Sequence, residues 1–301
     1  MIIDIITPTF NRDAFLEKTL KSVIEQKTKS KIHHYIMDGG STDNTVNIVN
    51  RYISESNKQN IELTLTVDRD EGMYDAIYKG FAKGQGDIMA WINSDDIYLP
   101  SALQTVEAIF EKYEDIDWIV GIPVHINEFD AITGIPFDFP LKTQKGIQRG
   151  IYNFKNSRRL CSTIQQDAVF WRRSLWNKLG DDFFDKFRSS KYAGDFLLWQ
   201  EFAKHSGLYF VNSALSSFRV HGNQLTNDLD KYASEMNYKK PNLKEILVSF
   251  LLNLPIFFPS MLKYEIIRIF HEKLCRSHQC GLIVWDVCAQ LWKTVHEKHH
   301  G

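Results

Sequence analysis

Residues 32–43 read Ile32-His-His-Tyr-Ile-Met37-Asp38-Gly39-Gly40-Ser41-Thr42-Asp43. A short apolar run ends in an acidic residue and two glycines, and Ser41 and Asp43 then stand where a helix opens toward Val46 and Val49. The same pattern surrounds this stretch. Upstream, Ile2 to Thr7 is strand-like and Pro8 to Arg12 is a loop. Asn11 there is placed to cap a helix with apolar positions Phe15, Leu16, Leu20, Val23 and Ile24. Downstream, Ile61 to Val67 alternates as a strand, Met73 to Phe81 repeats as a helix, and Asp87 to Ile92 is again a strand. Pro100 then opens a helix through Phe110. This rhythm predicts an α/β fold, with a mostly parallel sheet covered by helices on both faces. Ligands of such sheets bind in the loops at the carboxyl ends of the strands.

The composition is compatible with that fold. A chain of 301 residues buries most of its unfolded surface without staples. With 44% hydrophobic and 24% charged residues it is neither disordered nor fibrous. A formal net charge of -1 excludes the basic surplus of a nucleic-acid binder. Cys161, Cys275, Cys280 and Cys288 have the spacing of neither a zinc site nor a disulfide framework, so reduced thiols in a cytoplasmic protein are expected. The N-terminus lacks the basic flank of a signal peptide and reads as the first strand. Trp171, Trp176 and Phe183 to Phe187 read as core, and His296, His299 and His300 as a solvated tail.

Helices are expected at Ser174 to Leu179 and Phe196 to His205, and the polar stretch 226–242 reads as a boundary. Residues 1–225 therefore form the α/β unit and residues 226–301 a helical extension. Ile246 to Leu262 carries no charge, yet it is shorter than the ~20 residues a spanning helix needs and is broken by Pro255 and Pro259. Lys239, Lys240 and Lys244 precede it, and Lys263, Arg268, Lys273 and Arg276 follow. Basic flanks suit a helix lying at an anionic membrane surface; packing on the α/β unit or in a dimer is the other reading.

The strand-end loops carry carboxylates: Asp38 in the second, and Asn93-Ser94-Asp95-Asp96 after the fourth strand. An acidic pair there suits Mg2+ or Mn2+, with phosphate and water completing the shell. Two glycines after Asp38 leave its carboxylate for a base or ribose, whereas Asp43 reads as a helix N-cap. Gly-x-Gly-x-x-Gly and Gly-x4-Gly-Lys-Ser/Thr are absent, against dehydrogenases and P-loop enzymes.

Four segments in order, Thr7-Pro-Thr-Phe-Asn-Arg12, Asp38-Gly-Gly-Ser-Thr-Asp43, Asp70-Glu-Gly-Met-Tyr-Asp75 and Trp91-Ile-Asn-Ser-Asp-Asp96, resemble family 2 of the glycosyltransferases over residues 1–225. The resemblance implies the GT-A fold, a nucleotide-sugar donor (a UDP-sugar), a hydroxyl acceptor such as a lipid-linked saccharide, and inversion at the anomeric carbon. By position it assigns Thr7, Pro8, Asn11, Asp38, Asp70 and Asp95 to the nucleotide, and Asp96 with His221 to Mn2+ or Mg2+. Asp195, in Gly194-Asp195-Phe196-Leu197, becomes the catalytic base, with helix capping as its alternative; Leu197 stands where many members have a second acid. Arg219 and His221 are expected near the diphosphate, and Gln165 and Gln166 near the acceptor. The rivals are a non-catalytic nucleotide-sugar binder and a sugar-phosphate nucleotidyltransferase, though the latter would need a Gly-rich, Arg-bearing loop after the first strand.

Overall fold

The carboxyl ends of the strands meet along one edge of a single sheet. In the computed structural model, which describes all residues except 57–59, 136–139, 157–162, 223, 225–227, 259–264 and 296–301, the strands run in the order β11-β10-β9-β6-β8-β4-β1-β2-β3. These are β1 (Ile2–Thr9), β2 (Lys31–Asp38), β3 (Ile61–Val67), β4 (Ile88–Trp91), β6 (Trp118–Ile126), β8 (Val169–Arg172), β9 (Tyr209–Arg219), β10 (Gly281–Asp286) and β11 (Leu291–Thr294). Short strands β5 (Ile97–Tyr98) and β7 (Ile132–Gly134) pair with β9 and β6.

β1 is parallel to both β2 and β4, and β2 to β3. β8 runs antiparallel to β4 and to β6, so it restores the original direction to β6 and to β9, which is parallel to β6. Thr9, Asp38, Trp91, Ile126 and Arg219, the last residues of five strands, therefore point to the same edge, and β8 begins there.

Helices cover both faces. α1 (Asp13–Ile24), α2 (Thr45–Ser56) and α4 (Ala102–Lys112) bury Leu20, Val49 and Val106 against Ile3, Ile5 and Ile36. On the other face, α3 (Met73–Lys83) and α8 (Gly194–Phe202) bury Phe81 and Trp199 against Ile6, Trp91 and Trp171. Trp91 and Trp199 stack with centroids 5.7 Å apart. Trp171, Trp176 and Phe187 are core, as expected. Short helices α5 (Gln144–Gln148), α6 (Arg173–Trp176) and α7 (Asp181–Ser189) fill the irregular middle. Ser101 stands at the N-cap of α4, so Pro100 precedes that helix rather than opening it.

The extension contains three helices, α9 (Leu229–Glu235), α10 (Leu243–Phe257) and α11 (Glu265–His278), among its described residues, and then adds β10 beside β9. The short apolar run Gly281–Asp286 gave no local signal of that pairing. A capping box between Asn242 and Glu245 opens α10. Asn253, fully buried, accepts from the Leu141 amide (2.8 Å) and donates to the Leu141 carbonyl (2.9 Å), while Glu245 pairs with Arg149. Cys161, Pro259, Met261, Leu262, Lys263, His296, His299 and His300 lie outside the described residues.

Candidate active site

The first two loops are tied to each other. Asn11 adopts a left-handed φ of 51°, which asparagine tolerates. Its Oδ1 accepts from the Thr42 amide (2.8 Å), and its own amide donates to Ser41 Oγ (2.8 Å). It therefore does not cap α1, whose N-cap residue is Arg12. Asp43 serves both helix starts, accepting from the amides of Thr45 (3.0 Å) and Asp13 (3.1 Å). Asp38 is buried, and its carboxylate accepts from the amides of Gly40 (3.1 Å) and Ser41 (2.9 Å) and from the Ser41 hydroxyl. Far from being left free by the two glycines, it closes the turn they allow.

Thr7 departs from its expected place in the pocket. Its hydroxyl lies 2.9 Å from His34 Nε2 inside the sheet, and both side chains are fully buried. Burial drives the His34 pKa down to about 3, so that imidazole is neutral. Pro8 is buried one residue further on. Asp70 Oδ1 accepts from the Gly72 amide (2.9 Å), and a Cβ at Gly39 would come within 2.9 Å of Asp70 Oδ2, so the second and third loops lie against each other and a side chain at Gly39 would make Asp70 shift. Burial raises the Asp70 pKa, opposed by the Gly72 hydrogen bond, and the charges of Asp75 and Asp38 raise it further. Phe10 went unmarked in the sequence; it is 57% exposed on the first loop and reaches the Gly39 position.

The loop after β4 separates its two aspartates. Asp96 is 1% exposed and turned inward, accepting from the Arg219 amide (2.9 Å) and from Asn93 Nδ2 (3.3 Å). Burial, then the charges of Asp95 and Asp167, holds its carboxyl well above the usual range. Asp95 is the aspartate that meets His221, Oδ2 to Nε2 at 3.0 Å. The pairing assigned to Asp96 and His221 thus falls to Asp95 and His221, because Asp96 supports the loop from behind.

Arg219, expected near the diphosphate, lies behind the loop with its side chain engaged by the protein itself. Its fully buried guanidinium donates to the carbonyls of Asp95 (2.7 Å) and Asn127 (2.9 Å) and to Asp130 (2.5 Å), and it sits over the Phe15 ring. Asp167 completes the acidic cluster where β8 begins. It accepts from Ser216 Oγ (2.5 Å), and burial pushes its pKa up to about 6. Its neighbour Gln166 is buried and donates to the Trp91 carbonyl.

No group of three or more His, Cys, Asp or Glu side chains among the described residues could hold a metal alone. Asp95 Oδ2 and His221 Nε2, 3.0 Å apart, are the two donors that would hold a divalent cation here together with phosphate of a bound ligand.

Asp195 lies in the first turn of α8, with Ala193 at the N-cap, so it is not the capping residue. Its Oδ1 accepts from Tyr74 Oη (3.2 Å) and Tyr232 Oη (2.9 Å). Burial raises its pKa, opposed by hydrogen bonds from the Phe196 backbone, Tyr232 and Tyr74. Gly194 makes this approach possible, since a Cβ there would lie 2.6 Å from the Tyr74 ring.

The sequence matches the model of Glycosyl transferase family 2 over residues 4–176. An uncharacterized glycosyltransferase of Rickettsia typhi is 23% identical, over 97% of this chain and 92% of that protein. A PGL/p-HBAD biosynthesis glycosyltransferase of Mycobacterium bovis is 29% identical, over 58% of this chain and 61% of that one. The structure of S. aureus TarS 1–349 in complex with UDP-GlcNAc aligns with a TM-score of 0.56 at 17% identity, over 85% of this chain and 73% of that chain. At that identity the likeness establishes the fold, GT-A.

The two aspartates should separate by stability. Asp96→Ala orphans the buried Arg219 amide and should cost about 1–3 kcal/mol in urea unfolding. Asp95→Ala leaves the amide contact of Asp96 intact and should cost less than Asp96→Ala, about 1 kcal/mol. The reverse order would show that the inward and outward roles are exchanged.

Proposed function

The chain belongs to glycosyl transferase family 2, and from that premise we propose that it moves a sugar from a UDP-sugar donor to a hydroxyl acceptor, with inversion at the anomeric carbon. The supporting observation is convergence: the approach of Asp70 to Gly39, the Asp95–His221 pair and the strand ends that hold them share one edge of the sheet. TarS, with the same fold, was crystallised with UDP-GlcNAc. The acceptor class we propose is a lipid-linked saccharide in cell-surface polysaccharide or glycolipid assembly.

In this reading the Phe10 ring offers a face to the base. Asp70 and the turn closed by Asp38 border the base and ribose. Thr7 anchors the end of the first strand beside Pro8 through His34, and Asn11 ties the first loop to the second through its Oδ1 and amide. Asp195 takes the proton from the acceptor hydroxyl as that oxygen bonds to the anomeric carbon and the bond from the carbon to the diphosphate breaks. Asp95 and His221 would hold Mn2+ or Mg2+, which when bound neutralises charge on the diphosphate. Asp96 and Arg219 keep Asp95 in place, and the rest is alignment of acceptor oxygen and anomeric carbon. Residues 1–225 supply these groups and residues 226–301 brace them.

The extension also carries our proposed location, the cytoplasmic face of a membrane. No helix among the described residues is long and apolar enough to cross one. Leu243 (82% exposed), Leu247, Phe250 and Phe258 on or just after α10, with Ile266 (83%), Ile269 and Phe270 on α11, present apolar side chains to solvent. Lys239, Lys240, Lys244 and Lys273 are exposed around them. Apolar side chains rimmed by lysines suit an anionic leaflet.

Two experiments test these assignments. Asp195→Asn should lower transfer roughly a hundredfold to ten-thousandfold while calorimetric UDP-sugar affinity stays within about twofold; a matching loss of affinity would make Asp195 a binding residue. Because the base works ionised and burial raises its pKa, wild-type kcat should fall with decreasing pH through a limb above the ordinary carboxylate range. The full chain should float with phosphatidylglycerol vesicles, and Leu247→Ser with Phe250→Ser should reduce the bound fraction. Absence of binding by the unmodified chain would remove the membrane from the account.

A further inference from the structure

Helix α9 belongs to the extension, beyond residues 4–176 that match the family, yet one of its faces is committed to Asp195. Tyr232 and Glu235 are three residues apart and so share that face. Tyr232 Oη donates to Asp195 Oδ1 at 2.9 Å. Glu235 accepts from three successive amides, those of Lys191 (2.9 Å), Tyr192 (2.9 Å) and Ala193 (2.9 Å). These residues lead directly into α8, where Asp195 occupies the second position.

The carboxylate of Glu235 thus satisfies donors just ahead of the helix start, where a negative charge is also favoured by the helix dipole. Packing keeps α9 in place: Tyr232 meets the Phe154 ring edge-on at 5.9 Å, and Met236, Phe196 and Ala193 form a small apolar cluster. Asp228 caps α9 through the Lys231 amide. On the opposite side, Tyr74 of α3 shares its single hydroxyl proton between the same Asp195 oxygen (3.2 Å) and the Tyr192 carbonyl (3.0 Å). Asp195 is therefore gripped from two sides, one of which is supplied by the extension.

We propose that Tyr232 and Glu235 are positioning residues for Asp195: Glu235 fixes the backbone that presents the carboxylate, and Tyr232 fixes the carboxylate itself. The extension is then part of the catalytic apparatus as well as a brace. This rests on the reading of Asp195 as the base. The groups that bear on its ionisation are Tyr74 from α3, and Tyr232 and Glu235 from α9.

The test uses the full chain and four variants. Tyr232→Phe keeps the ring and removes one oxygen. It should lower kcat about tenfold, the equivalent of one charge-assisted hydrogen bond, leave the donor KM within about twofold, and move the acid limb of kcat to higher pH. Glu235→Gln keeps one acceptor oxygen and should retain more kcat than Glu235→Ala, again at unchanged donor KM. Asp195→Asn is the control. If it is inactive while Tyr232→Phe has wild-type kcat and an unmoved acid limb, the positioning role is wrong and the base stands. If Tyr232→Phe or Glu235→Ala raises donor KM as much as it lowers kcat, α9 acts on the fold of the pocket and the inference is overturned. Wild-type transfer by Asp195→Asn would overturn the base assignment and this inference with it.

Discussion

The reciprocal clasp between Asp96 and Arg219 is the interaction on which the rest of the site depends. The Asp96 carboxylate takes the Arg219 amide, and the Arg219 side chain takes the Asp95 carbonyl, so the loop after β4 is held to the end of β9 at two points. The strands are neighbours in direction only because β8 lies antiparallel between β4 and β6. From that geometry follows the approach of Asp95 to His221, side chains 126 residues apart in the chain. A cation–π contact from Arg219 to Phe15 fixes the start of α1 to the same point.

Electrostatics divides labour among the acidic groups. Asp95, Asp96 and Asp167 share one corner of the sheet, and three ionised carboxylates there without a counter-ion would repel. Burial eases the conflict by raising Asp96 and Asp167, while Asp95 turns toward His221. Asp195 is treated differently. It too is raised by burial, but two tyrosines hydrogen-bond its ionised form and so oppose the neutralisation that burial favours.

Much of this was legible in the sequence, and what was not has a physical reason. The strands and helices to residue 112 follow from periodicity and turn chemistry, because both faces of the sheet are buried and the pattern is strict. The loops that carry Asp38, Asp70, Asp95 and Asp96 were located for the same reason. The direction in which each side chain turns was not, since it is set by partners far away in sequence: Thr7 by His34, Asp96 by Arg219, Asp38 by the amides of its own turn. α9 and β10 escaped notice because a seven-residue helix and a six-residue strand carry little periodic signal, and both are stabilised by contacts with residues distant in the chain.

The account's central claim is that a donor lying along this edge presents its anomeric carbon to a base held by α8, with the diphosphate leaving toward Asp95 and His221. Attack from the opposite side of the carbon must then invert its configuration. Proton NMR of the first product formed from an α-linked UDP-sugar reads this directly through the anomeric coupling constant. The account predicts a β-linked product; an α-linked product at the earliest time points would contradict it.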